Sequence, residues 1–118
     1  MTDSLQINVD SDQESAVMYL RGRLSIESSP DLRGQLLTML RRQPPPKTID
    51  IDLADVSYMD TSGVATLIEG LKIARIGSIS MHLQGLQGHL LHRFQATGIG
   101  SLFDTGGSTN KRSTTAVP

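Results

Sequence analysis

Hydrophobic and polar positions alternate at period two in several short stretches of the chain and recur at helical spacing in three longer ones. Leu5, Ile7 and Val9 alternate with polar neighbours and predict a first strand. Residues 10–14 are a polar turn, and residues 16–20 (AVMYL) predict a second strand, so an antiparallel hairpin is the simplest pairing. Residues 22–29 read as a loop. Ser28 or Ser29 can cap the helix that follows, with Pro30 and Asp31 in its first turn and Leu32, Leu36, Leu37 and Leu40 as its apolar face. Arg41 and Arg42 complement its C-terminal dipole, and Pro44, Pro45 and Pro46 end it.

Ile49, Ile51 and Leu53 alternate with Thr48, Asp50 and Asp52 and predict a third strand over 48–53. Val64, Leu67, Ile68, Leu71 and Ala74 predict a second helix stopped at Gly77. Ile79, Met81 and Leu83 predict a fourth strand. Leu86, Leu90, Leu91 and Phe94 predict a third helix ending at Gly98, where Ile99 can fold back on Phe94. A short last strand over 101–103 would complete the domain, and residues 104–118 offer almost nothing to bury and are expected to be disordered. Strand–helix–strand steps favour right-handed crossovers and parallel pairing. The expected fold is therefore α/β: one domain over 1–103, a mixed sheet with a parallel centre and an N-terminal hairpin, packed against helices.

The junction between the third strand and the second helix concentrates the chemistry. Asp60, Thr61, Ser62 and Gly63 put two hydroxyls and a carboxylate at a strand-to-helix corner. The first backbone N–H groups of a helix lack intrahelical partners and its dipole is positive there, so an anion is favoured. A hydroxyl at such a corner can carry a phosphate without unfolding its own domain. The same four residues also suit a plain helix cap, with Asp60 or Thr61 accepting from early amides and Gly63 allowing close packing. The two readings are compatible, because a capped corner is rigid.

Composition removes several function classes. Net charge is −1 over 118 residues, and aromatics are 3% (Tyr19, Tyr58, Phe94 and Phe103), so neither an electrostatic nor a stacking case for nucleic acid exists. The absence of cysteine removes disulfides, thiol catalysis and cysteine metal sites and fits a cytoplasmic protein. The N-terminus has neither a basic flank nor an apolar run, and no stretch approaches the length of a membrane span, so no membrane insertion is expected.

Other constellations are weaker. Asp50 and Asp52 share a strand face, with Asp55 and Asp60 near in sequence; paired carboxylates suit Mg²⁺ or acid–base work, but more often they mark a partly solvated strand face or its polar end. His89 and His92 lie three apart on the third predicted helix, without a third ligand in that segment. His82 is expected to alternate outward from the fourth strand. No histidine lies near Ser62 in sequence to act as its base, which argues against a nucleophilic serine. Gly85 and Gly88 match neither of the glycine-rich phosphate fingerprints. No catalytic residue, metal site or cofactor is expected.

With this order of elements, the chain resembles the STAS domain of bacterial anti-sigma factor antagonists from about Leu5 to Phe103. Gly22 after the second strand, Asp52-Leu53 in the third, the corner Asp60-Thr61-Ser62-Gly63 eight residues beyond Asp52, and the apolar run to Gly98 and Leu102-Phe103 carry the resemblance. It implies a protein-binding switch rather than an enzyme. Ser62 would be the phosphoacceptor; Gly22, Arg23, Leu24 and Ser25, together with Asp60, Thr61, Ser62 and Gly63, would meet the partner. That partner would be an anti-sigma factor with serine-kinase activity, released when Ser62 is phosphorylated.

Departures from the family pattern shape further expectations. The loop after the second strand usually reads Gly-x-Leu-Asp in such antagonists, whereas here Ser25 supplies no charge. Asp50 stands where relatives carry an apolar strand residue. The alternative implied by the resemblance is a STAS adaptor subunit of a lipid-transport ABC system, docking the same corner on its ATPase. Most relatives end in another helix, whereas this sequence ends in a polar tail, so an uncovered apolar strip and a weak homodimer are expected.

Overall fold

The computed structural model describes residues 4–86 together with Gly88, Leu90 and His92. Its elements run β1 (Leu5–Ser11), β2 (Ser15–Leu24), α1 (Ser29–Leu40), β3 (Thr48–Met59), α2 (Thr61–Ile76) and β4 (Ser80–Gln84). They form one mixed sheet in the order β1-β2-β3-β4, antiparallel between β1 and β2 and parallel across the other two pairs. The expected hairpin and parallel centre are both present. Gly88, Leu90 and His92 are helical and Leu90 is buried; the rest of the third predicted helix, the strand over 101–103 and the tail lie outside the described residues.

One face of the sheet makes the core. Ala16, Met18 and Leu20 of β2, Ile49, Ile51 and Leu53 of β3 and Met81 of β4 are buried against Leu32, Leu36 and Leu40 of α1 and Val64, Leu67, Leu71 and Ala74 of α2. Each of the larger aliphatic side chains among them contributes about 1.5–3 kcal/mol by leaving water, which is what holds two amphipathic helices on the sheet. The other face carries Tyr19, Asp50, Asp52 and His82. No helix among the described residues is long and apolar enough to cross a membrane.

Both strands that lead to the corner are longer than periodicity predicts. β2 continues through Gly22 to Leu24, where the sequence reads as loop, and β3 runs to Met59 instead of stopping at Leu53. The reason is a pair of bulges in β3. Tyr19 pairs with Asp52 but Arg21 with Asp55, and Gly22 pairs with Val56 but Arg23 with Tyr58, so β3 gains an extra residue at each place. The buried residues after Leu53 are therefore Val56 and Met59, at spacings of three, which breaks the period-two signal. Side chains support both irregularities: Asp52 Oδ1 accepts from Ala54 N at 2.9 Å, and Ser57 Oγ donates to Gly22 O at 3.2 Å.

The entry to α1 also differs from expectation. Ser28 occupies the N-cap position, yet its side chain makes no capping bond; its hydroxyl accepts from Ser25 N and donates to Arg23 O. It is the loop, rather than the helix, that this serine ties down.

Candidate functional site

Long strands deliver two chain segments to one end of the sheet. β2 ends at Leu24 and β3 at Met59, which are register partners, so the loop after β2 and the corner after β3 emerge side by side. Asp60 N donates to Leu24 O at 3.1 Å and continues that pairing by one more bond.

Asp60 is the N-cap of α2, with an extended backbone. Its Oδ1 accepts from Gly63 N at 3.1 Å and from Ser62 Oγ at 2.6 Å. Its Oδ2 reaches across to the loop and accepts from Ile26 N at 3.0 Å. One carboxylate thus caps a helix, orients a serine and anchors a loop. The Ser62 hydroxyl, followed by the amides of Gly63, Ile26 and Ser62, holds the Asp60 carboxyl below the ordinary aspartate range, against the opposing pull of partial burial.

The Ser62 hydroxyl is half-buried and also lies 3.1 Å from the hydroxyl of Ser29, which is itself buried at the first residue of α1. Ser29 Oγ is 2.7 Å from Ser25 O as well. A hydroxyl has one proton to give. Ser62 gives its proton to Asp60, so Ser29 divides its own between Ser62 Oγ and Ser25 O. The Ser62 oxygen ends such a chain electron-rich, at a helix N-terminus, with its carboxylate partner ionised.

The other residues expected at the site fall into two groups. Leu24 and Gly63 are buried against each other, and Gly22, at φ 108°, is half-buried beside Ser4 O. Leu24 and Gly63 thus shape the surface from beneath. Arg23, Ser25, Asp60, Thr61 and Ser62 keep exposed surface, with the Arg23 guanidinium stacked on Tyr58 at 3.9 Å from the ring centroid. Two site residues escaped the sequence reading. Ser29 reads as a cap, although it is the second hydroxyl of the cluster. Ile26 is 72% exposed beside the corner, and its only signal was an isolated isoleucine in a polar loop.

The remaining carboxylates and histidines are elsewhere. Asp52 is committed to Ala54 N, and Asp50 Oδ1 lies 3.1 Å from Nδ1 of its register partner His82, on the sheet face away from the core. Among the described residues no three histidine, aspartate or glutamate side chains converge as metal ligands. His92 is exposed, and His89 lies outside the described residues.

Residues 7–104 match the family model described as Mlab, STAS domain. The chain is 25% identical over 101 residues to the anti-sigma-B factor antagonist of Bacillus subtilis (strain 168), covering 86% of this chain and 90% of that protein. Its fold is similar to two solved structures. One is the anti-sigma factor antagonist SpoIIAA in its unphosphorylated form, with a TM-score of 0.65, 21% identity, and coverage of 76% of this chain and 82% of that one. The other is the Bacillus cell fate determinant SpoIIAA in the phosphorylated form, with a TM-score of 0.68, 21% identity, and coverage of 82% and 87%.

Proposed function

We propose that this chain, which belongs to the STAS domain family, is an anti-sigma factor antagonist whose docking is switched by phosphorylation of Ser62. The observation that carries the reading is the setting of Ser62: half-buried, bonded to Asp60 at 2.6 Å, and in the first turn of a capped helix. The relative named above as an anti-sigma-B factor antagonist supports the partner class.

In the unmodified state, a partner surface complementary to neutral hydroxyls docks on Thr61, Ser62 and the adjacent loop. The partner is an anti-sigma factor with serine-kinase activity and supplies ATP. The Ser62 oxygen attacks the γ-phosphorus; the new O–P bond forms as the bond from that phosphorus to the β,γ-bridging oxygen breaks, ADP leaves, and the hydroxyl proton passes to a base of the kinase. Asp60 orients the serine, but its lowered basicity suits it poorly to keep the proton. The phosphate adds about −1.5 to −2 charges at pH 7 in the middle of the docking surface. The helix N-terminus tolerates that charge within the domain, whereas the partner surface does not, so the complex separates while the fold survives.

Incubation with the cognate kinase and ATP, followed by mapping of the phosphosite, tests this directly. The phosphate should be on Ser62 and absent from Ser62→Ala; a stoichiometric phosphate elsewhere that persists in Ser62→Ala contradicts it. The localisation that goes with this role is cytoplasmic, and the weak homodimer belongs to the same proposal, to be read by sedimentation velocity across a concentration series.

A second reading is an adaptor of a lipid-transport ABC system that docks the same corner on an ATPase without needing a kinase. One observation favours it: Ser25, in the loop anchored to Asp60 through Ile26, carries no charge to offer an anti-sigma factor. Stable binding to an ABC ATPase that is indifferent to Ser62→Ala would select this reading.

A further inference from the structure

The carboxylate of Asp60 touches two pieces of chain, the first turn of α2 and the loop after β2. Oδ1 serves Ser62 and Gly63 on the helix side, and Oδ2 holds the amide of Ile26 on the loop side. Apart from that bond and the contact between the Ser29 and Ser62 hydroxyls, the loop is built on itself, through Ser25, Ser28 and Ser29. Its outermost large apolar side chain is Ile26, 72% exposed. Fixing the Ile26 amide holds that side chain beside the phosphoacceptor. An isoleucine held rigidly in water beside a polar corner is the kind of anchor that fills a pocket on a partner at low entropic cost.

We infer that Asp60 is a positioning residue that couples the charge state of Ser62 to the placement of Ile26, so that modification of Ser62 withdraws an apolar contact as well as adding a charge. The inference rests on the switch reading above and deepens it. Esterification of Ser62 Oγ removes the one proton that this oxygen donates to Asp60. It also brings a phosphate, with up to two negative charges, beside an ionised carboxylate. The phosphate oxygens then compete with Asp60 for the first N–H groups of α2, Gly63 N among them, and for the Ser29 hydroxyl, 3.1 Å from Ser62 Oγ. Deprived of its Oδ1 donors and repelled by its neighbour, the carboxylate turns away and lets go of Ile26 N. α2 stays capped, because the phosphate takes over the amides that Asp60 leaves. A mixed consequence follows for the partner: the centre of its docking surface becomes charged while the apolar anchor at the edge becomes loose.

Amide hydrogen exchange by NMR on the full chain reads this without any partner. Phosphoserine is placed at position 62 by genetic incorporation, and exchange is compared with the unmodified protein and with Asp60→Asn carrying either serine or phosphoserine. Asparagine still caps a helix, but its one side-chain oxygen cannot accept on both sides of the site. Ile26 N should exchange about tenfold faster once phosphorylated, the equivalent of one ordinary hydrogen bond, while core amides such as those of Met18 and Ile51 keep their rates. In Asp60→Asn, Ile26 should exchange fast with or without the phosphate. An unchanged Ile26 rate in the phosphorylated protein overturns the inference. So does an equal acceleration on phosphorylation in Asp60→Asn, which would mean the signal bypasses Asp60. Because the phosphate is installed without a kinase, failure here is distinct from failure of the switch reading, which would appear as a kinase that leaves Ser62 untouched.

Discussion

Gly63 packs against Leu24 so closely that a Cβ on Gly63 would stand 2.7 Å from Leu24 Cγ and 3.0 Å from Leu24 O. This contact clamps the first turn of α2 onto the end of β2 and lets the corner and the loop share one carboxylate. Gly63→Ala should therefore destabilise the protein by about 1–3 kcal/mol, the usual cost of forcing an extra carbon into a packed site. Urea unfolding reads it as a lower midpoint; an unchanged midpoint would show that Leu24 yields freely.

Acid stability should carry the signature of Asp60. Its folded pKa is lowered, chiefly by the Ser62 hydroxyl. Such a carboxylate adds stability that is fully present above the unfolded value of about 3.9 and is lost as pH falls through the folded value. The stability difference between wild type and Asp60→Asn should thus be constant near neutrality and shrink as pH drops below about 4. Denaturant titrations at a series of pH values measure it, and a difference that widens on acidification would contradict the assigned direction.

Arg33 and Glu69 join α1 to α2 through two parallel bonds, Nε to Oε1 at 2.8 Å and Nη2 to Oε2 at 2.9 Å. Their side chains are 53% and 40% exposed, so water screens much of the attraction. A double-mutant cycle with Arg33→Ala and Glu69→Ala should give a coupling of about 0.2–1 kcal/mol that falls away in 1 M salt, where the Debye length is about 3 Å. A larger coupling that survives high salt would show that this pair, rather than apolar packing, holds the helices together.

The loop after β2 should matter less to partner affinity than the corner. Arg23 is already occupied with the Tyr58 ring, and Ser25 uses its backbone N–H and carbonyl inside the loop. Calorimetric titration of Arg23→Ala and Ser25→Asp against the proposed anti-sigma partner should show smaller changes than Ser62→Asp does. The reverse order would move the main determinant to the loop.

Much of this was legible in the sequence because local chemistry and tertiary packing agree. Ile49, Ile51 and Leu53 alternate on an unbroken strand, and Asp60 followed by Gly63 is a capping pattern that the helix obeys. Legibility stopped where neighbouring strands intervene. The bulges beside Asp55 and Tyr58 are set by pairing with β2, and they hide the second half of β3 behind a spacing of three. The Asp60–Ile26 bond spans 34 residues, so no window of sequence contains both partners. Ser29 was ambiguous for a related reason: a serine at a helix start reads as a cap, and only the fold brings it to Ser62.

The central claim is that charge on Ser62 ends docking without ending the fold. The most direct measurement is calorimetric titration of the full chain against the proposed anti-sigma factor partner, with serine or phosphoserine at position 62, alongside thermal melts of both forms. Like-charge or desolvation penalties at an interface amount to several kcal/mol, so the phosphorylated form should bind on the order of a hundredfold more weakly while melting within a few degrees of the unmodified one. Equal affinity of the two forms, or a phosphorylated form that no longer folds, would contradict the account.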